Sequence, residues 1–158
     1  MRSTLIIIGT AIALRWGLFA SGVHVEVYQF APAHLLFLVL VAYFNGFFTL
    51  REDKETGFAE LLRSGLRETT LYALMIAVFT WFFFTYINDM EFPTRIEAMV
   101  KGSVAEGHAE AEVRERIGQF FTPGWYAFLS FMGLMASGAI NALIFAYVHH
   151  KWLRRFMQ

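Results

Sequence analysis

The sequence contains no cysteine. That excludes disulfides, thiolate metal sites, thiol nucleophiles and cysteine-held clusters. Charge is also scarce, at 16% of residues where an average soluble domain carries roughly 25%. Lys and Arg total 13 and Asp and Glu total 13, so no basic excess points to nucleic acid. What fills the chain instead is apolar. Hydrophobic residues make up 57% of its 158 positions, and 18 of them are Phe. Such content excludes disorder. A soluble domain of this size could not cover its surface with so little charge. Together with a mean hydropathy of +0.48, this makes lipid the expected solvent.

A hydrocarbon core about 30 Å thick needs about 20 mostly apolar helical residues. Four stretches qualify, at about 4–22, 33–50, 69–87 and 124–148. Their apolar residues are not confined to one face, as they would be in a soluble amphipathic helix. Pro32 and Pro123 stand where the second and fourth spans begin, a position at which the missing N–H has no helical partner to lose. The first span has the outline of a signal peptide, but Arg15 interrupts it before the small residues Ala20, Ser21 and Gly22. It reads as a retained membrane helix. The expected fold is all-α: a single polytopic domain of four transmembrane helices, with a polar helical segment between the third and fourth.

Positive charge sets the expected orientation. Arg2, Arg51, Lys54, Arg63, Arg67, Lys151, Arg154 and Arg155 fall on one side of the four spans. Arg95, Lys101, Arg114 and Arg116 fall on the other. The excess on the first side predicts that both termini are cytoplasmic. Tyr28, Trp81, Tyr86, Trp125, Tyr126, Tyr147 and Trp152 lie near span ends and suit interfacial belts.

The segment at about 93–121 is then extracytoplasmic. Ile96, Met99, Val100 and Val104, then Val113, Ile117, Phe120 and Phe121, recur at spacings of mostly three and four, one apolar edge per half. Gly102 and Gly107 weaken the middle, which predicts two short helices or one bent one. Within it, Glu106, His108, Glu110 and Glu112 cluster. On one continuous helix His108 and Glu112 would share a face, as would Glu106 and Glu110. Charged residues on a water-facing helix explain the pattern, and no metal is assigned.

Arg15 is the one charge well inside a span, and a central Arg needs a reason or an escape route. Gly9, Ala13, Gly17 and Ser21 recur every four residues, the spacing of a close-packing face in membranes. At about 100° per residue the stripe centres about 60° round from Gly9 and Arg15 lies at about 240°. Arg15 is therefore expected to point away from the tight contact, toward lipid headgroups or a second interface. The fourth span carries Gly133, Ser137 and Asn141 in similar register. Asn141 and Asn45, in the second span, are expected to bond each other as helix glue.

No catalytic constellation accompanies these residues. Ser137-Gly138 lacks the first Gly of a rhomboid-type element, and His149 lies beyond the span's end. There is no His-Glu-x-x-His motif, no intramembrane Asp pair and no phosphate-binding loop. His24, His34, His149 and His150 offer no spaced pair within one span for haem. The expectation is no enzyme activity and no cofactor. The function expected is association: a homo-oligomer, an accessory subunit of a larger envelope complex, or both, in contact with membrane lipids and not nucleic acid. The alternative is a small transporter, channel or lipid-binding protein, with Arg15 and the two Asn lining its path.

A resemblance runs through most of the chain. Tyr43-Phe44 lies in the second span, followed by Arg51-Glu52-Asp53 and Gly57-Phe58-Ala59-Glu60. The third span ends Phe84-Thr85-Tyr86-Ile87-Asn88-Asp89-Met90-Glu91-Phe92, and Phe121-Thr122-Pro123-Gly124 opens the fourth. In these stretches the chain resembles a domain-of-unknown-function family, serial label 4199, of small four-helix bacterial membrane proteins. The resemblance implies a multi-pass protein in the inner membrane of a Gram-negative bacterium. It brings no catalytic residue with it.

Overall fold

The computed structural model describes residues 2–23, 25 and 27–156, with backbone alone for Val27 and Tyr28. The described chain is all-helical, without strands. Helix α1 spans Arg2–Ala20, and a 3₁₀ turn at Val27–Phe30 leads into α2, Ala31–Glu52. Then follow α3 at Phe58–Tyr86, α4 at Glu91–Ala105, α5 at Glu110–Phe120 and α6 at Pro123–Val148. A π-helical turn, His149–Leu153, carries α6 on into α7, Arg154–Phe156. Four helices are long and apolar enough to cross a membrane: α1, α2, α3 and the continuous run Pro123–Phe156. Leu5, Ile6, Leu36, Leu74, Phe128, Ile140 and Ile144 are among many large apolar side chains left exposed on these helices. Lipid, not water, accounts for such surfaces.

Two compact units divide the chain, one of residues 1–76 and 132–158 and one of residues 77–131. In the first, α1 lies along α2. Its buried face is Thr4, Ile7, Ile8, Ala11 and Arg15. This corrects the expected rotation of the helix. Arg15 is on the packed face, and Gly9, Ala13, Gly17 and Ser21 face out. Cβ atoms added at Gly9 or Gly17 would meet nothing within 4 Å. In hydrocarbon no hydrophobic force sorts one apolar face from another, so polar groups seeking partners decide the rotation.

Helix α6 turns a different row inward from the one expected. Leu134, Gly138, Ala142, Ala146 and His149 are buried, whereas Gly133 is exposed and has nothing near it. A Cβ on Gly138 would lie 2.8 Å from Thr69 Cβ, and one on Gly65 would lie 3.1 Å from Ala142 Cβ. These two contacts bring α3 and α6 together at backbone distance, in antiparallel register. Below them Leu50, Leu61 and Ala146 form a buried cluster against Phe58, Leu62 and Leu153. The α2–α3 turn is closed by Asp53, whose carboxylate accepts the Glu55 N–H at 2.9 Å and whose carbonyl accepts the Thr56 hydroxyl at 2.8 Å. The Arg154 guanidinium donates to the Thr56 carbonyl and ties the C-terminal helix to this turn.

The second unit is built on aromatic contacts. Phe84 meets both Phe92 and Tyr126 edge-on, at 5.3 and 5.7 Å between centroids. Buried Glu91 accepts from Arg95 at 2.8 Å and from the Asn88 amide at 3.2 Å. Val100 and Val113 are the buried centres of α4 and α5. Two short helices form here, and Gly107, at φ 94°, supplies the backbone of the turn between them. A side chain is strained in that region and glycine is not. Arg114 on α5 donates to Glu97 of α4 and, at 2.9 Å, to Glu110.

Candidate intramembrane polar site

In the first unit the polar side chains of the spans gather into two groups. The outer group starts at Arg15, only 8% exposed. Its Nη1 donates to the Val25 carbonyl at 3.0 Å, and the guanidinium lies 5.5 Å from the Phe30 ring centroid. A planar cation is well suited to both contacts at once. Phe30 meets the His34 ring edge-on at 5.0 Å, and His34 Nδ1 is hydrogen-bonded to the Tyr72 hydroxyl at 2.8 Å. Tyr72 is wholly buried. Polar and aromatic contacts thus run unbroken from α1 through the 3₁₀ turn and α2 to α3.

The inner group centres on Asn45 and α3. Ser64 donates its hydroxyl to Asn45 Oδ1 at 3.1 Å. Asn45 Nδ2 is buried with no partner among the described residues. The expected bond between Asn45 and Asn141 is absent from this arrangement. Asn141 Nδ2 instead donates to the Ser137 carbonyl of its own helix at 2.9 Å. That back-bond needs no neighbouring helix.

The Asn45–Ser64 bond fixes the register of α2 on α3, and with it the depth of Glu68. At a rise of 1.5 Å per residue, Glu68 lies ~6 Å beyond Ser64, and Arg51 lies ~9 Å from Asn45 in the opposite direction. Glu68 therefore stands ~15 Å from the charged end of α2, about half the thickness of a hydrocarbon core. It is 1% exposed, and its Oε1 accepts from Arg67 Nη2 at 3.1 Å. Arg67 itself is exposed. It lines a groove of about 820 Å³ with Thr49, Glu52, Ala59, Glu60, Arg63 and Ser64.

His149 completes this end of the unit. It is fully buried, and its ring lies against Gly46, where a Cβ would come within 2.8 Å of Nδ1. Only glycine leaves room for the imidazole. Nδ1 is 2.6 Å from the Phe145 carbonyl, so Nδ1 donates a proton to it, and Nε2 is buried with no hydrogen-bond partner among the described residues. His149 also opens the π-helical turn. Such a turn adds one residue to the helical repeat, and such turns are frequent at functional sites.

Several residues here carried no signal in the sequence. Glu68 precedes the apolar run that marks the third span; Phe58, Leu61, Leu62 and Leu66 recur at helical spacing before that run, and α3 begins at Phe58, but nothing in that spacing marks Glu68 as buried. His34 and Tyr72 are 38 positions apart, and only the register of α2 on α3 pairs them. In the second unit, Glu106 and His108 fall in the turn outside both helices, so the shared faces with Glu110 and Glu112 do not form. No group of three metal-binding side chains is found among the described residues. Outside the spans, Arg114 holds the Glu97 carboxyl below its ordinary range through their hydrogen bond, and that bond raises Arg114 in turn. His24 and the Tyr28 side chain lie outside the described residues.

A family model described as "Protein of unknown function (DUF4199)" matches residues 3–151. The chain belongs to that family. The match runs from the first turn of α1 into the π-helical turn, so it takes in both units and both polar groups. No curated protein and no solved structure matches the chain.

Proposed function

We propose that this multi-pass membrane protein works by association, without enzymatic chemistry of its own. Its place is the inner membrane of a Gram-negative bacterium, with both termini in the cytoplasm, as the excess of Lys and Arg on one side of the spans favours. It forms a homo-oligomer through the outward face of α1, alone or as an accessory subunit of an envelope complex.

One observation carries this reading. Helix α1 spends Thr4, Ile8, Ala11 and Arg15 on the contact with its own chain and keeps Gly9, Ala13, Gly17 and Ser21 outside. A small-residue face gains little from lipid but lets a second helix approach to backbone distance. An identical helix offers the same face, so a two-fold pair is self-complementary.

Blue-native gels of membranes solubilised in mild detergent, with amine-independent crosslinking, test it. A species of at least two chains is expected, and Gly17→Leu should convert it to one chain. A strictly monomeric species with no co-purifying partner would refute the proposal.

A further inference from the structure

The groove between the end of α2 and the start of α3 is walled by opposite charges. Glu52 and Glu60 supply carboxylates, Arg63 and Arg67 guanidiniums, and Thr49 and Ser64 hydroxyls. Its volume of about 820 Å³ is that of a small-molecule site. Among the described residues, Glu52, Glu60 and Arg63 make no ion pair. Their charges therefore face the groove. Arg67 is held from behind by buried Glu68 at 3.1 Å, which uses one of its five N–H donors and fixes the direction of the others.

We propose that this groove binds a zwitterion made of a phosphate and a primary ammonium, the headgroup chemistry of an aminophospholipid. Arg63 and Arg67 stand one helical turn apart, ~6 Å along α3. Two guanidiniums at that spacing converge on the oxygens of one tetrahedral phosphate. Thr49 and Ser64 add hydroxyl groups beside them. Glu52 and Glu60 then receive the ammonium. A primary ammonium donates three hydrogen bonds to carboxylates. A quaternary ammonium donates none and is bound by aromatic cages, and among the described residues no aromatic side chain lines the groove. The site therefore prefers ethanolamine to choline. An anionic headgroup without an amine leaves Glu52 and Glu60 unanswered and is disfavoured as well. The groove opens beside Glu52, at the charged end of α2, and runs inward along α3 to Arg67, so a headgroup enters it from the charged end. This inference stands on different residues from the α1 interface and survives if that interface fails.

The test uses the full-length protein, purified in detergent and loaded in turn with phosphatidylethanolamine, phosphatidylcholine or phosphatidylglycerol. Lipid retained after detergent exchange is counted by native mass spectrometry. Retention of phosphatidylethanolamine should exceed that of the other two by about tenfold, the worth of one charge-assisted hydrogen bond. Arg63→Gln should lower its retention by about tenfold, and Glu60→Gln should erase the preference over phosphatidylcholine. Both residues are exposed and make no ion pair among the described residues, so both variants should keep the wild-type helix content and melting temperature. Soluble phosphoethanolamine separates the two sources of the ligand. Displacement of the lipid at millimolar levels assigns the site to a free zwitterion, and failure to displace assigns it to the lipid. Equal retention of all three lipids by the wild type would overturn the proposal. So would an unchanged preference in well-folded Glu60→Gln.

Discussion

Helices α1 and α6 both carry small residues at every fourth position, yet they use them in opposite ways. In α6 the row Gly138, Ala142 and Ala146 is buried, and Gly138 meets Thr69 at a distance no Cβ would tolerate. In α1 the row Gly9, Ala13, Gly17 and Ser21 faces away from the chain. The difference lies in what else each helix must place. Rotating α1 to bury its glycines would turn Arg15 and Thr4 into hydrocarbon, and a central Arg there costs about 2.5–3.5 kcal/mol on insertion scales. Helix α6 carries no such cation inside the bilayer, and its one amide side chain, Asn141, lies off this row and bonds to its own backbone. Small-residue spacing thus marks a face that permits close packing. Polar neighbours decide whether that packing happens inside the chain.

The largest effects should separate the two rows. Gly138→Leu must displace Thr69, and Gly46→Leu must displace His149. Each should destabilise the fold by about 3 kcal/mol, since neither neighbour is the free end of a long side chain. Gly17→Leu meets nothing within 4 Å and should leave the single chain within about 0.5 kcal/mol of wild type. Thermal unfolding in detergent ranks the three. A Gly17→Leu variant as unstable as Gly138→Leu would mean that α1 packs inside the chain by its small face after all.

A smaller effect probes why α1 is rotated as it is. The chain of contacts from Arg15 through Phe30 and His34 ends on Tyr72. Tyr72→Phe removes one hydroxyl and leaves His34 Nδ1 without its partner. The loss should be about 1 kcal/mol, in the range of interhelical hydrogen bonds in membranes, and should appear as a lower melting temperature with helix content intact. No change at all would show that the pair is incidental to the packing.

These contrasts also mark what could be read in one dimension. Span number follows from apolar run length, the entries of α2 and α6 from Pro32 and Pro123, and the break before α5 from Gly107, which takes a positive φ. Each is a property of neighbouring residues. The face α1 buries, the depth of Glu68 and the pairing of Asn45 with Ser64 rather than Asn141 are not. They depend on the register of one helix on another, and four apolar spans admit several registers with nearly equal burial. Arg15 was conspicuous as a charge in a span. Its partner, the Val25 carbonyl, belongs to a loop that composition alone says little about.

The smallest effect lies outside the membrane. Arg114 holds the Glu97 carboxyl below the ordinary value of 4.5, so the unfolded segment binds more protons than the folded one as pH falls past that value. The α4–α5 contact is therefore fully present above pH 4.5 and is lost as pH drops through the lowered folded value. Both side chains are exposed, so the change should be slight and screened by salt. Hydrogen exchange of α4 and α5, compared at pH 6 and pH 3 after correction for intrinsic rates, should show it, and Arg114→Gln should remove the pH dependence. A pH dependence that persists in Arg114→Gln would assign it to other carboxylates.

The central claim, that the outward face of α1 meets a second copy, is open to a clean measurement because the chain has no cysteine. Single cysteines at Ala13 and Gly17 lie on that face, and one at Phe19 is exposed off it. Oxidation in native membranes should give disulfide-linked dimers at Ala13→Cys and Gly17→Cys and far less at Phe19→Cys. Equal yields at all three positions, or none at Ala13 and Gly17, would contradict the account.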